Sequence, residues 1–401
     1  MTHQPNAFIV DALRTPVGKY GGLLRDVRPD DLGAMVIKAL LEQTKIDPQL
    51  IDDVMWGCAN QAGEDNRNVG RMSALLAGLP QSVPANTINR LCGSSLDAII
   101  QASRAIWSRD AEILIAGGVE SMSRAPYSIP KNQSGLYGNV TAYDTALGWR
   151  YPNPKMEKIF PLESMGETAE NLAEKYKIPR EEQDEFAYNS HMKAVKAQQD
   201  CKFQDELVHV EIPQRKGDPL IVKQDEGPRA DTSREKLAKL SPAFRKNGTV
   251  TAGNSSSLND GAAAVLVMTE QKANDLGMKS MARVVSTGVA GVDPRYMGIG
   301  PVPAVQKALK KAGLTMKDID LIELNEAFAA QSLAVVHDLE IPIEKLNPNG
   351  GAIALGHPLG CSGARIMTTL LHEMKRRNSR YGIATMCIGV GQGVAVVVER
   401  G

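Results

Sequence analysis

The stretch NRLCGSSLDAIIQASRAIWSRDAEILIAGG, residues 89–118, decides the fold. It opens on a Cys-Gly-Ser-Ser turn around Cys92. Leu96, Ile99, Ile100 and Ile106 then recur at helical spacing, which predicts a helix over 96–107. Residues 112–116 are a short apolar strand, closed by Gly117-Gly118. Turn, helix and strand in this order form a building block of a sheet covered by helices. The chain before it alternates in the same way. Residues 7–10 read as a strand, and residues 52–56 as another. Residues 30–41 read as a helix with Leu32, Met35, Val36, Ala39 and Leu40 on one face. The predicted class is α/β.

A second copy of this pattern lies near the other end. Gly360-Cys361-Ser362 leads into a helix, a strand and Gly389, as 92–117 does. KAL at 38–40 and KAL at 307–309 each run on through an Ile-Asp pair into an apolar strand. An old duplication explains these echoes, and so does the general likeness of any two βα units. Residues 121–250 differ: Pro-rich loops over 125–158 precede a strongly charged section. Within it, 168–176 and 180–199 look like amphipathic helices lying on a surface. The expected layout is an N-terminal α/β half over 1–120, an inserted lobe over 121–250, the end of the first half over 251–272, and a C-terminal α/β half over 273–401. Such lobes often carry substrate contacts.

Composition narrows the function. The chain has 401 residues, 43% of them hydrophobic and 23% charged, with 46 basic side chains against 46 acidic ones. That is enough for a large core and too apolar for a disordered chain. The charge balance argues against a nucleic-acid binder. Five cysteines stand without CxxC spacing, so neither a metal knuckle nor a redox motif is expected. Reduced thiols and an N-terminus without a signal pattern suit the cytoplasm. The most apolar long run, 382–398, is uncharged and broken by four glycines. It reads as two buried strands joined by a turn, not as a membrane helix.

Four segments carry reactive side chains amid small residues. In NRLCGSS (89–95), Cys92 precedes a helix, where N–H groups and the helix dipole lower a thiol pKa and steady an oxyanion. A buried structural cysteine fits the same turn. In GGAIALGHPLGCSGAR (350–365), His357 lies between Gly356 and Pro358, either close to a ligand or packed in its loop. The histidines at 3, 191, 209, 337 and 372 are read as solvated or structural. In CIGVGQG (387–393), Cys387 ends a strand, and no helix opens after the glycines, so a dinucleotide fingerprint is rejected. In NEAFAAQ (325–331), Asn325 reads as a helix cap and Glu326 as a first-turn carboxylate.

Taken together, these segments resemble the thiolase family, acyltransferases that cleave or form 3-oxoacyl-CoA. GGVESMS (117–123), VTAGNSSSLNDGAA (250–263) and NPNGGAIALGHPLGCSGAR (347–365) belong to the same resemblance, which covers the whole chain in the family's order. It implies a layered αβαβα core of two duplicated halves with an inserted loop domain. It implies Cys92 as the nucleophile, His357 as its base and Cys387 as the acid/base at the α-carbon. Asn325 would hold a water at the enolate, and the N–H groups of Cys92 and Gly389 would hold the tetrahedral oxyanion. Arg229 and Ser256 would contact CoA, which is a substrate; no other cofactor and no metal is implied. Many thiolases have Gly in place of Ser95 and Ser257; Ser95 also occurs in the long-chain branch, whereas Ser257, next to Ser256, leaves the CoA contact there open. The implied partners are acyl-CoA and CoA, not nucleic acid or membrane, and the assembly a homodimer or homotetramer. GCANQAGEDNRNVGRMSALLAGLP (57–80), AYDTALGWRYPNP (142–154) and ESMGETAENLAEKY (163–176) look most like the branch that converts 3-oxoadipyl-CoA and CoA into succinyl-CoA and acetyl-CoA. General 3-ketoacyl-CoA and acetoacetyl-CoA thiolases are the alternatives. A ketoacyl-synthase-like condensing enzyme is disfavoured by the second thiol, Cys387. Arg150 is the first candidate for holding an acyl-chain carboxylate.

Overall fold

Residues 89–118 fold as a tight turn, a helix over Ser94–Ser108 and a strand over Ile113–Ser121. The computed structural model describes residues 5–131 and 139–401. In chain order, the strands that frame the site are β1 (Ala7–Arg14), β2 (Asp53–Gly57), β3 (Ala85–Ile88), β4 (Ile113–Ser121), β5 (Asn259–Thr269), β6 (Ala282–Gly291), β7 (Leu321–Leu324), β8 (Tyr381–Ile388) and β9 (Gln392–Glu399). The longest helices are α1 (Pro29–Thr44), α2 (Ser94–Ser108), α3 (Met165–Tyr176), α4 (Arg180–Gln199), α5 (Pro301–Ala312), α6 (Ala329–Leu339) and α7 (Leu359–Arg377).

Strand pairing shows the duplication. Outward from the centre, the first half runs β1, β5, β4, β2, β3, and the second runs β6, β9, β8, β7. In both, the first two pairings are antiparallel and the next is parallel. The halves join where Phe8 and Ile9 of β1 face Arg283 and Ala282 of β6. Helix α2 precedes β4 as α7 precedes β8. Leu96, Ile99 and Ile100 of α2 share one core with Ile366, Met367 and Leu370 of α7. The KAL echoes fall in α1 and α5, which cover the outer faces of the two halves. Helix, sheet, paired helices, sheet, helix: this is the expected layering. β4 and β5 are buried along their whole length, so they read as continuous apolar and small-residue runs without a polar face.

The lobe between β4 and β5 differs in detail from its sequence reading. Residues 165–176 and 180–199 are helical, but α4 does not lie on the surface by an apolar stripe. Its buried side chains are Gln183, Asp184, Ala187, Ser190, His191, Ala194 and Ala197. These are small or hydrogen-bonded, which an amphipathicity pattern cannot register. Arg14 of β1 clamps the lobe to the core. Its guanidinium is fully buried and bonds Glu206 at 2.7 Å and both oxygens of Asp225 at 2.7 and 2.9 Å. Among the described residues no helix is long and apolar enough to cross a membrane; the run at 382–398 is β8, a turn and β9.

Candidate active site

The turn before α2 is tied by its own polar groups. Leu91 holds a left-handed backbone, φ 46°. Its N–H donates to Asn89 Oδ1 at 2.9 Å, and the Arg90 N–H donates to Ser94 Oγ at 3.0 Å. Ser94 in turn donates to the Leu91 carbonyl at 2.6 Å. A left-handed leucine costs about 1–2 kcal/mol, and these bonds offset it. The turn lifts Cys92 out of the helix, half-buried, with two N–H groups directed at its sulfur: that of Gly389 and its own. Burial still outweighs them and pushes the thiol up to about 11. This corrects the expectation of a helix-lowered thiol. Losing water costs a thiolate more than the two N–H groups return.

Gly389 comes from the turn after β8. A side chain there would press on Leu91 Cδ1 and Met165 Sδ, 3.3 and 3.4 Å from its Cβ position, so glycine keeps its N–H at the sulfur. Two residues earlier, Cys387 is buried among Ala327, Phe328, Ala330 and Met165. Burial, reinforced by the Cys92 sulfur, raises its pKa well above the ordinary thiol value. A resting thiol near 8.5 is therefore the wrong picture for Cys387; both sulfurs are neutral at rest.

His357 enters from the loop before α7. Gly356 has φ 110°, and a Cβ there would strike the Asn259 side chain. Asn259 Oδ1 accepts the His357 backbone N–H at 2.9 Å. The ring meets Ser362 Oγ at Nδ1 (2.6 Å) and Asn325 Nδ2 at Nε2 (3.4 Å). Ser362 spends its hydrogen on the Pro358 carbonyl at 2.9 Å, so its oxygen accepts from Nδ1–H. That tautomer leaves Nε2 unprotonated, with its lone pair toward the Asn325 amide. Burial and the nearby Arg365 cation lower the ring pKa to about 3, which keeps it neutral at rest.

Asn325 is not a helix cap. Helix α6 begins at Ala329 with Phe328 as its cap. The Asn325 backbone N–H instead extends the sheet to Thr385 at 3.0 Å. Its Nδ2 turns to His357, and its buried Oδ1 has no protein partner, as suits a residue that binds water. Glu326 is not in a first helical turn either. It accepts from Ser190 (2.6 Å), Asn347 (2.8 Å) and the Ile353 N–H (3.2 Å), and so pins the loop ahead of His357 to α4.

Arg229 is exposed, with its backbone N–H on His191 Nδ1 at 3.3 Å. The Ser256 N–H is fixed to the Ala327 carbonyl at 2.9 Å. Ser257 donates to Asn259 Oδ1 at 2.9 Å, the oxygen that also receives the His357 backbone. Ser95 accepts the Ala364 N–H at 2.8 Å and bridges α2 to α7. Both serines that depart from the family pattern thus have local partners. Of the other histidines, His191 and His372 are buried and hydrogen-bonded, His209 and His337 are exposed, and His3 lies outside the described residues. The Cys58, Asp65 and Glu120 side chains lie within metal-ligand reach of one another. Their carboxylates already accept the N–H groups of Ala59, Asn60, Gly360, Gln61 and Gly63. Glu120 thereby joins the loop after β2 to the first turn of α7. Sequence reasoning gives no role to Ser362, Asn259 or Glu120. Ser362 sits in GCSGAR, one helical turn past Pro358, where a hydroxyl can reach back to the ring.

A turn-borne cysteine, a second buried thiol close enough to feel it and a loop histidine on a duplicated α/β core invite comparison with known proteins. Residues 7–271 match the thiolase N-terminal domain family and residues 278–400 the thiolase C-terminal domain family. The chain belongs to the thiolase family. This thiolase is 53% identical to the beta-ketoadipyl-CoA thiolase of Acinetobacter baylyi over 398 residues, 98% of this chain and 99% of that one. It is 54% identical to the 3-oxoadipyl-CoA/3-oxo-5,6-dehydrosuberyl-CoA thiolase of Escherichia coli over 397 residues, with the same coverage. Its structure superposes on a Bacillus anthracis acetyl-CoA acetyltransferase with TM-score 0.93 and 44% identity over the full length of both chains. Human mitochondrial 3-ketoacyl-CoA thiolase, solved in complex with CoA, gives TM-score 0.93 at 42% identity over 99% of this chain and 98% of that one. The thiolase is accordingly an acyltransferase acting on CoA thioesters.

Proposed function

We propose that this thiolase cleaves 3-oxoadipyl-CoA with CoA, giving succinyl-CoA and acetyl-CoA through an acyl-enzyme on Cys92. The observation that carries the chemistry is the pair of N–H groups, from Cys92 and Gly389, converging on the Cys92 sulfur beside Cys387. His357 Nε2 takes the thiol proton as the sulfur attacks C3. The two N–H groups stabilise the oxyanion, a contribution worth about 10²–10³ per donor. The C2–C3 bond breaks, and Cys387 delivers a proton to C2, so acetyl-CoA leaves. His357 and an Asn325-bound water stabilise the enolate oxygen before that protonation. Free CoA then loses its thiol proton to the thiolate of Cys387 and attacks the Cys92 thioester, and succinyl-CoA departs. A thiol nucleophile suits this exchange because thioester replaces thioester. Arg229 and Ser256 contact CoA, and no cofactor beyond CoA is needed.

The acyl chain rests on the names of the two relatives at 53 and 54% identity. Thiolysis of acetoacetyl-, 3-oxooctanoyl- and 3-oxoadipyl-CoA, assayed side by side, tests it. The highest kcat/KM belongs to 3-oxoadipyl-CoA; a preference for either of the others replaces this substrate with that one. The assembly we propose is a homodimer or homotetramer. β3 is the outer strand of its half, with half-buried residues and one unpaired edge, and an unpaired edge is a template for a second copy. All five cysteines are free, which supports a reducing compartment such as the cytoplasm.

A further inference from the structure

We propose that Arg150 reads the free carboxylate at the far end of the acyl chain. This rests on the 3-oxoadipyl reading and names the residue that enforces it. Arg150 is a half-buried cation whose charge is unmatched. Its two Nη atoms donate to the carbonyls of Thr145 (2.9 Å) and Asn60 (3.0 Å), both neutral acceptors. Several half-buried arginines hold carboxylates, Arg90 with Asp97 at 3.1 Å, Arg124 with Glu64, and Arg180 with Asp184 at 2.7 Å, whereas Arg150 shares with Arg71, on the Val83 and Gln81 carbonyls, and Arg400, on Asn378, a set of purely neutral acceptors. Among the described residues Arg150 makes no ion pair. A cation withdrawn from water without a counter-charge is costly, and a bound anion removes that cost.

The position fits the task. Asn60, which takes one Arg150 bond, follows Ala59. The Ala59 carbonyl accepts from Asn89, whose Oδ1 in turn receives the N–H of Leu91, next to the nucleophile. On the other side, Trp149 donates to the Glu163 carbonyl at 3.0 Å. Two residues on, Met165 lies against Gly389. The segment bearing Arg150 is thus tied to the loop after β2, whose Ala59 holds Asn89, and to the turn before α3, which carries Met165.

The chemistry follows from the substrate. A succinyl group on Cys92 puts its carboxylate three carbon–carbon bonds from the thioester carbon, about 4 Å. That holds the ion close to the half-buried Cys92, where a fixed cation can meet it. Two of the five guanidinium N–H groups are committed to carbonyls, which fixes the plane of the fork; the others are open to a carboxylate. Charge-assisted bonds of this kind are worth about tenfold to a hundredfold in discrimination.

The experiment compares kcat/KM for 3-oxoadipyl-CoA with that for 3-oxohexanoyl-CoA, which has the same length and no carboxylate. In Arg150→Met the ratio of the two falls by about tenfold to a hundredfold. In Arg150→Lys, which keeps the charge and loses the fork, it falls by less. A second readout avoids full turnover: mass spectrometry of Cys92 after exposure to succinyl-CoA or butyryl-CoA, with succinylation reduced relative to butyrylation in Arg150→Met. An unchanged ratio in both assays makes Arg150 a loop strut and overturns the proposal. A parent enzyme that already prefers 3-oxohexanoyl-CoA overturns the substrate reading instead, and that arm needs no variant.

Discussion

The two halves of the molecule share one plan and carry different reactive side chains. In each, a loop carrying a reactive side chain runs into a central helix and then a buried strand: Cys92 into α2 and β4, His357 into α7 and β8. They differ beyond the strand. β4 leads into the lobe that ends at β5, whereas β8 turns at once into β9. The long exit carries α3 and Arg150. The short exit places Cys387 and Gly389 at the nucleophile. The entry turns differ as well. The first is bent by a left-handed Leu91 and leaves its sulfur half-buried and accessible; the second buries the imidazole and fixes it through Ser362, Asn325 and Asn259. On the proposed mechanism, a duplicated scaffold gives one copy the nucleophile and the other the base, the acid and an oxyanion donor.

Four changes test this division, from the largest effect to the smallest. Cys92→Ser removes the first half's whole contribution, and thiolysis falls by about 10⁴ or more. Residual turnover well above that level would move the nucleophile elsewhere. Cys387→Ala removes the second half's acid. Steady-state thiolysis drops by about 10²–10⁴. Acylation of Cys92 by a simple acyl-CoA survives, but exchange of the acetyl-CoA α-protons in deuterated water is lost. Normal exchange would refute the role. Ser362→Ala releases the ring tautomer and lowers kcat by about tenfold, while Ser362→Thr, which restores the hydroxyl, recovers most of it. Equal losses in the two variants would mean a packing role only. Ser95→Ala cuts the bond between the central helices and costs about 1 kcal/mol in urea unfolding, with kcat held.

The pH dependence comes from the neutral resting pair. Burial holds the Cys92 thiol up at about 11, so deprotonation favours the alkaline side. Its alkylation by iodoacetamide should climb steadily from pH 7 to pH 10. A plateau already reached at pH 7 would show a resting thiolate and return the advantage to the helix dipole.

Much of this is legible in the sequence, for reasons that differ by residue. Helix α4 reads correctly at both ends because Pro179 and a charged first turn mark its start. β1 reads four residues short: Asp11 and Arg14 look like solvent residues, yet Arg14 is buried against Glu206 and Asp225. The echo between the halves stays ambiguous until strand order shows matching pairings, which no local pattern contains. Cys92, His357, Cys387 and Gly389 stand out through their small-residue surroundings and the family resemblance. Asn325 reads as a cap because an Asn before a helix ordinarily is one; three residues separate it from α6. Arg150 can be singled out as an arginine in a distinctive loop, but its lack of an acidic partner needs coordinates. The thiol pKa values run opposite to expectation because burial cannot be summed along a sequence.

The central claim is an acyl-enzyme on Cys92 formed from the substrate's distal half. Mass spectrometry of the enzyme incubated with 3-oxoadipyl-CoA in the absence of free CoA tests it most directly. The account predicts a succinyl group on the peptide carrying Cys92 and acetyl-CoA in solution. A succinyl group on Cys387 or Cys361, or release of acetyl-CoA with no acyl group on any cysteine, would contradict it.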